Sequence, residues 1–262
     1  MNRTQHREPL RVALIGASGR MGREIEGLAA GQGVEILLRY DAQNPPPGRL
    51  TDVSIDVAID FTLPDVVLGN IERVLDWGVP MVVGTTGWLD ALPDVKQLIE
   101  ATGGRLIWAS NFSVGVQTFF RIVHRAAELI NEIPGYDVAL HEEHHIRKAD
   151  SPSGTARSLA EILLSQIDRK RQTLVETLHD RIDPAALHVT SRRVGATPGT
   201  HIITIDSEAD TIELAHRARN RSGFALGALV AARWIVQAEP GLYCFDEVFE
   251  DILKRNEQKE LS

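Results

Sequence analysis

The chain has 262 residues, 43% of them hydrophobic, enough for one large packed domain or two modest ones. Its formal charge of −8 argues against a surface built to neutralise nucleic-acid phosphates, which needs a basic stripe. A single cysteine, Cys244, excludes an internal disulfide and a multi-cysteine metal site. With no apolar core in the opening MNRTQHREPL and no run approaching about 18 apolar residues, the expectation is a cytoplasmic protein with no nucleic-acid or membrane partner.

In chain order, the runs at 10–15, 34–40, 55–61, 80–86 and 105–110 are short and rich in Val, Ile and Leu, and predict buried strands. Between them, 20–30, 64–77 and 90–101 predict helices. Such alternation implies βαβ units and a doubly wound parallel sheet covered on both faces. Pro45-Pro46-Pro47-Gly48 reads as a surface loop. After Asn111 the pattern changes to a helix over 114–131, an extended stretch over 136–146 and a helix opening at Ser153-Gly154-Thr155. The alternating segments at 187–194, 201–208 and 210–218 then predict an antiparallel sheet in a second domain. An apolar helix over 224–237 and the tail to Leu261 return to the first. The expected domains are 1–114 with 221–262, and 115–220. Trp77, Trp88, Trp108 and Trp234 read as core.

Gly16-Ala17-Ser18-Gly19-Arg20-Met21-Gly22 follows the first strand and opens a helix. Glycines there permit a tight turn, close approach of a pyrophosphate and tight helix packing, although Gly-x-x-Gly-x-x-Gly also serves as a plain structural turn. Asp41, ending the second strand, is placed to accept from adenosine ribose hydroxyls. The following Ala42-Gln43 favours NADH over NADPH, with Arg39 and Arg20 as competing partners for a 2′-phosphate. Asp60-Phe61-Thr62 and Gly84-Thr85-Thr86-Gly87 lie at carboxyl ends of strands, where open parallel sheets bind ligands, or are simple turns. Asn111 to Val116 reads as a hinge with Ser113 as a helix cap.

The segment from Glu142 to Ala156, EEHHIRKADSPSGTA, gathers titratable, cationic and hydroxyl groups before a helix N-terminus, where unpaired N–H groups attract anions. It predicts a carboxylate receptor beside a proton donor; the plainer reading is a solvated charged loop. In a regular strand His144 and Lys148 would share one face and His145 and Arg147 the other, leaving His145 a packed or surface residue. A metal held by His141, Glu142, His144 and His145 is conceivable, but no further ligand set supports it and no metal is expected. His201 and His216 read as structural or interface residues.

With these motifs in order, the chain resembles the dihydrodipicolinate reductases, or 4-hydroxy-tetrahydrodipicolinate reductases, of lysine and diaminopimelate biosynthesis. The likeness rests on GASGRMG, IDFT, GTTG, SNFSVGV and EEHHIRKADSPSGTA. It implies a Rossmann-like cofactor domain plus an α+β domain whose open mixed sheet carries the substrate site and builds a homotetramer. It also implies reduction of a small cyclic dicarboxylate by NADH or NADPH to tetrahydrodipicolinate, with loss of the 4-hydroxyl as water. The resemblance makes His144 the general acid and Lys148 a charge partner for a substrate carboxylate or developing ring charge, and gives substrate binding to His145, Ser153, Gly154, Thr155 and Arg221. It gives cofactor binding to Gly16, Ala17, Gly19, Arg20, Met21, Gly22, Asp41, Phe61, Thr62, Gly84, Thr85, Thr86, Ser110, Asn111 and Phe112. The chain departs from longer members in a short connection from Asp41 to Ile55 and in Ser151-Pro152 where Ala-Pro is commoner. A semialdehyde dehydrogenase would need a cysteine nucleophile after the cofactor domain, whereas Cys244 lies in the tail. A dinucleotide sensor would have no use for His144 with Lys148.

Overall fold

The computed structural model describes residues 8–51 and 53–260, with side chains to 255. Residues 1–7 of the stretch read above for an export signal, and Leu261 at the tail, lie outside the described residues. The chain divides into two units, Met1–Ser113 with Arg221–Ser262, and Val114–Asn220.

The first unit begins with β1 (Leu10–Ile15), α1 (Arg20–Ala29), β2 (Val34–Tyr40), β3 (Val57–Asp60), α2 (Pro64–Asp76), β4 (Met81–Val83), α3 (Leu92–Thr102) and β5 (Arg105–Trp108). The second unit holds α4 (Val114–Asn131), β6 (Asp137–His144), α5 (Gly154–Gln166), β7 (Gln172–Leu174), β8 (Ala186–Arg193), β9 (Thr200–Asp206) and β10 (Thr211–Arg217). The chain then returns to the first unit through α6 (Ser222–Ile235), β11 (Gly241–Cys244) and α7 (Phe245–Glu260).

The first sheet has the order β11-β5-β4-β3-β1-β2, with every pairing parallel. Its central strands are buried on both faces, which is why they read as unbroken apolar runs (Val12, Ala13, Leu14; Val57, Ala58, Ile59). Because β2 and β3 flank β1 on opposite sides, the winding reverses between β1 and β3. The carboxyl ends at that reversal form a crevice, the usual ligand position in such sheets. Helix α1 turns Gly22, Ile25 and Ala29 inward at near-helical spacing. Helix α6 is apolar on most of its circumference and packs against α1 and against β3, β4 and β5. The β11 strand, within what the sequence presents only as tail, extends the sheet by pairing with β5. Of the four tryptophans only Trp88 is fully buried; the others are half-exposed.

The second sheet runs β10-β9-β6-β8-β7. Its β6–β9 and β9–β10 pairs are antiparallel, but β6–β8 and β7–β8 are parallel. The antiparallel expectation therefore fails on half the sheet. Its cause is two crossovers: α5 carries the chain back to start β7, and residues 175–185 carry it back again to start β8, both in the direction of β6. Val123, Ala127, Leu159 and Leu163 of α4 and α5 pack on Val138, Leu140, Val189 and Ile203. The opposite face, with Ala139, His141, Glu143, Ile202 and Thr204, has no helix of this unit over it among the described residues and stays half-exposed.

Candidate active site

A cleft of about 880 Å³ opens at the carboxyl ends of β1, β3 and β4 in the first unit. Gly16, Gly19, Arg20, Met21, Asp41, Phe61, Thr62, Gly84, Thr85, Thr86 and Arg221 line it. Gly16 has φ +88°, and a Cβ there would meet Phe61 O at 2.3 Å; one on Gly22 would meet Gly16 O at 2.3 Å. Both positions require glycine, Gly16 for its backbone conformation and Gly22 so that α1 can lie against the turn. Gly19 caps α1 without a side-chain hydrogen bond, so first-turn N–H groups remain for an anion. A dinucleotide pyrophosphate fits this cradle.

The floor of the cleft is fixed by Asp60, which is fully buried. Its Oδ1 accepts from Thr85 Oγ1 (2.7 Å), Thr62 Oγ1 (2.7 Å) and Thr62 N (3.0 Å), and its Oδ2 from Asn70 Nδ2 (2.8 Å). Burial pushes its pKa up, and these hydrogen bonds oppose the rise. The two threonine hydroxyls thus point into the floor, and backbone is left to meet a ligand. At the cleft edge Asp41 Oδ1 accepts from Asn44 N (3.0 Å) and Gln43 N (2.9 Å), which hold its pKa below the usual range with help from Ser18. Arg39 is committed elsewhere, to Glu26 Oε1 at 2.6 Å and Ile36 O at 2.9 Å.

The second unit carries a buried polar cluster at the end of β6. Alternation along the strand sends Glu142 and His144 to the helix side, 0% and 8% exposed. Register then sets Arg193 beside His144 on β8 and His201 beside Glu142 on β9. Glu142 Oε1 accepts from Arg193 Nη2 (2.9 Å) and Ser153 N (3.1 Å). Glu142 Oε2 lies 2.9 Å from His144 Nδ1, close but poorly aligned for a hydrogen bond. Burial penalises the carboxylate, yet His144, Ser153 and Arg193 outweigh it and hold Glu142 ionised far below its ordinary pKa. Glu142, His144 and His201 each offer one ligand atom within 4.8 Å of the others, a donor set a metal could use, although Arg193 already compensates the carboxylate.

Two family models cover most of the chain: dihydrodipicolinate reductase, N-terminus, matches residues 10–112, and dihydrodipicolinate reductase, C-terminus, matches 115–249. The chain belongs to the dihydrodipicolinate reductase family. It is an NAD(P)H-dependent oxidoreductase of that family. A 4-hydroxy-tetrahydrodipicolinate reductase of Christiangramia forsetii is 36% identical over 94% of this chain and 100% of its own length. One from Archaeoglobus fulgidus is 35% identical over 92% and 100%. In fold, the chain is similar to a dipicolinate-bound dihydrodipicolinate reductase from Paenisporosarcina sp. TG-14, with TM-score 0.71, 24% identity and coverage of 92% and 99%.

Among the residues that the family resemblance singles out, Ala17 and Gly22 lie beneath the glycine turn. Phe112 is 1% exposed and packs on Phe61 and Phe245, so it supports the cleft from the core and is not a lining residue. Ser110 is exposed and Asn111 half-buried, with Asn111 Oδ1 accepting from Ser113 N at 2.8 Å; neither lines the cleft. Arg221 caps α6 and lines the dinucleotide cleft of the first unit. In the second unit Ser153 is 2% exposed; its Oγ caps α5 by accepting from Ala156 N (3.2 Å), and its N–H is given to Glu142. The first turn of α5 continues through exposed Gly154 and half-buried Thr155. Lys148 pairs with Asp150 at 2.8 Å. Strand β6 stops at His144, and Lys148 N donates to His145 O (3.1 Å), so alternation no longer decides where His145 points. The ring of His141 contacts Thr190, which separates it from the metal set considered above.

Arg193 and Gly199 escape the sequence reading, and Glu142, His201 and Asp60 are named in it without the parts the geometry gives them. Glu142 was within reach, two residues before His144 on one strand face. Arg193 and His201 enter only through strand register, which no local pattern reveals.

His201 also gives the cluster a pH signature. Burial, with His144 adding to it, pushes its pKa from the ordinary 6.5 down to about 4. The unfolded chain then binds more protons between those values, so stability is complete above pH 6.5 and is lost as pH falls towards 4. Loss on the order of 2–3 kcal/mol is expected over that window, less in His201→Gln. His216, also lowered by burial, contributes in both proteins. Urea unfolding at stepped pH reads the difference in slope; identical slopes would remove His201 as the cause.

Proposed function

We propose that the chain reduces 4-hydroxy-tetrahydrodipicolinate to tetrahydrodipicolinate in the cytoplasm as a homotetramer, with NADH preferred and His144 as proton donor. The observation that carries this reading is His144 seated against the ionised, fully buried Glu142 beside the N-terminus of α5. Loss of the 4-hydroxyl as water gives a double bond conjugated with the ring imine; hydride addition to it leaves electron density on an enamine carbon, and a positioned imidazolium protonates that carbon. Bound nicotinamide supplies the hydride. In the first unit, Gly16, Gly19 and the start of α1 hold the pyrophosphate, and Asp41 takes the ribose hydroxyls. In the second, the amides of Gly154 and Thr155 receive a substrate carboxylate, and Lys148 exchanges Asp150 for another.

The NADH preference follows from charge. Ionised Asp41 repels a 2′-phosphate, and Arg39 is held by Glu26, which leaves Arg20, Arg73 and Arg221 as the cations of the cleft that oppose it. The uncovered face of the second sheet is the surface assembly would bury, and a solution mass of four chains is expected. Steady-state turnover with freshly generated substrate tests the whole reading. At least tenfold higher kcat/KM with NADH is expected; parity or reversal removes the preference, and no turnover by folded protein removes the reductase assignment.

A further inference from the structure

Glu142 is fully buried, and a buried carboxylate is costly unless its partners repay the lost solvation. Its partners divide cleanly between its two oxygens. Oε1 takes Arg193 and the Ser153 amide, which ties β6 to β8 and to the start of α5. Oε2 faces Nδ1 of His144 at 2.9 Å, with His201 Nε2 further off at 3.9 Å. The other side of the imidazole is bounded by Gly199, where a Cβ would come within 3.0 Å of Nε2. Glycine keeps that nitrogen open while Nδ1 is turned inward.

From this geometry we infer that Glu142 is the positioning residue of the reaction: its carboxylate, at ion-pair distance from Nδ1, keeps the proton of the neutral His144 ring on that nitrogen by charge, so that Nε2 alone delivers a proton to substrate. This rests on His144 as the donor. Once Nε2 has given up its proton, the neutral ring must be the Nδ1–H form, the form a carboxylate at Oε2 stabilises. An amide in its place can keep Oε1 on Arg193 and Ser153 but presents NH2 to Nδ1. It then favours the Nε2–H form, which cannot be the product of donation.

Nitrogen-15 NMR of the neutral imidazole in the wild-type protein reads the tautomer without any substitution, cofactor or turnover. Nδ1–H at His144 is expected, with Nε2–H in Glu142→Gln; Nε2–H in the wild type would overturn the inference. Kinetics give the second arm. Glu142→Gln is expected to lower kcat about 100-fold with KM within about threefold, and to add nothing in a His144→Gln background, as for residues that act as a unit. Equal losses in both backgrounds would mean that Glu142 serves only the fold. A wild-type Nδ1–H tautomer together with full turnover by His144→Gln would instead remove the proton-donor reading and leave the tautomer assignment standing.

Discussion

His144→Gln is expected to lower kcat by about 10²- to 10⁴-fold, the usual contribution of a positioned general acid, with KM for the dicarboxylate within a few-fold of wild type. The asymmetry follows from where the substrate-binding groups sit. Lys148 and the first turn of α5 do not depend on the His144 ring, and Glu142 keeps its bonds to Arg193 and Ser153 when the imidazole is gone. Glutamine approximates the reach of the ring without a titratable proton, so the buried carboxylate still meets a polar neighbour. Stopped-flow and steady-state measurement separate the two parameters. Retained turnover would mean that the proton comes from elsewhere, and a KM rise matching the kcat loss would mean that His144 binds substrate and does not act on it.

The second large effect lies at Gly16. Any side chain there must adopt φ near +88°, and its Cβ would stand 2.3 Å from Phe61 O. Strain of about 1–3 kcal/mol is expected for a non-glycine residue held in that region, before the collision is counted. Relief requires the turn after β1 or the turn after β3 to retreat, and both line the cleft. Gly16→Ala is therefore expected to weaken NADH binding at least tenfold and to lower thermal stability as well. Fluorescence titration with NADH, alongside thermal unfolding, checks this. Unchanged affinity would show that the glycine turn does not approach the cofactor.

Much of the first unit is legible in the sequence because its elements announce themselves locally. Strands β1 and β2 and helices α1 and α2 lie where apolar runs and glycine or proline punctuation place them, within a residue. What local patterns miss is set by distant partners. The run at 80–86 shortens to Met81–Val83, because strand length there follows neighbouring strands and the residues beyond turn to serve Asp60. The parallel half of the second sheet is invisible to alternation, since period-two patterning does not record strand direction. At the site, His144 and the α5 turn are readable as residue types before a helix start. Ser153 misleads, because the signal that marks a carboxylate-binding turn is the same one that marks a helix cap. Phe112 misleads for a related reason: it lies beside residues at a strand end, but its ring packs into the interior.

The division of the chain carries a consequence for how the protein is made. The first unit is built from two separated pieces, and the second lies between them as one uninterrupted stretch, Val114–Asn220. During synthesis the strands of the first sheet emerge early, yet α6, which covers β3, β4 and β5, and β11, which closes the β5 edge, arrive last. At ribosomal speeds the intervening stretch takes on the order of 10 s to appear, long enough for the second unit to fold first. Until then the nascent chain displays an unpaired strand edge and an uncovered apolar sheet face, features that invite aggregation and chaperone binding. The half of the molecule whose glycine turn comes first in sequence is thus the half that must be completed last.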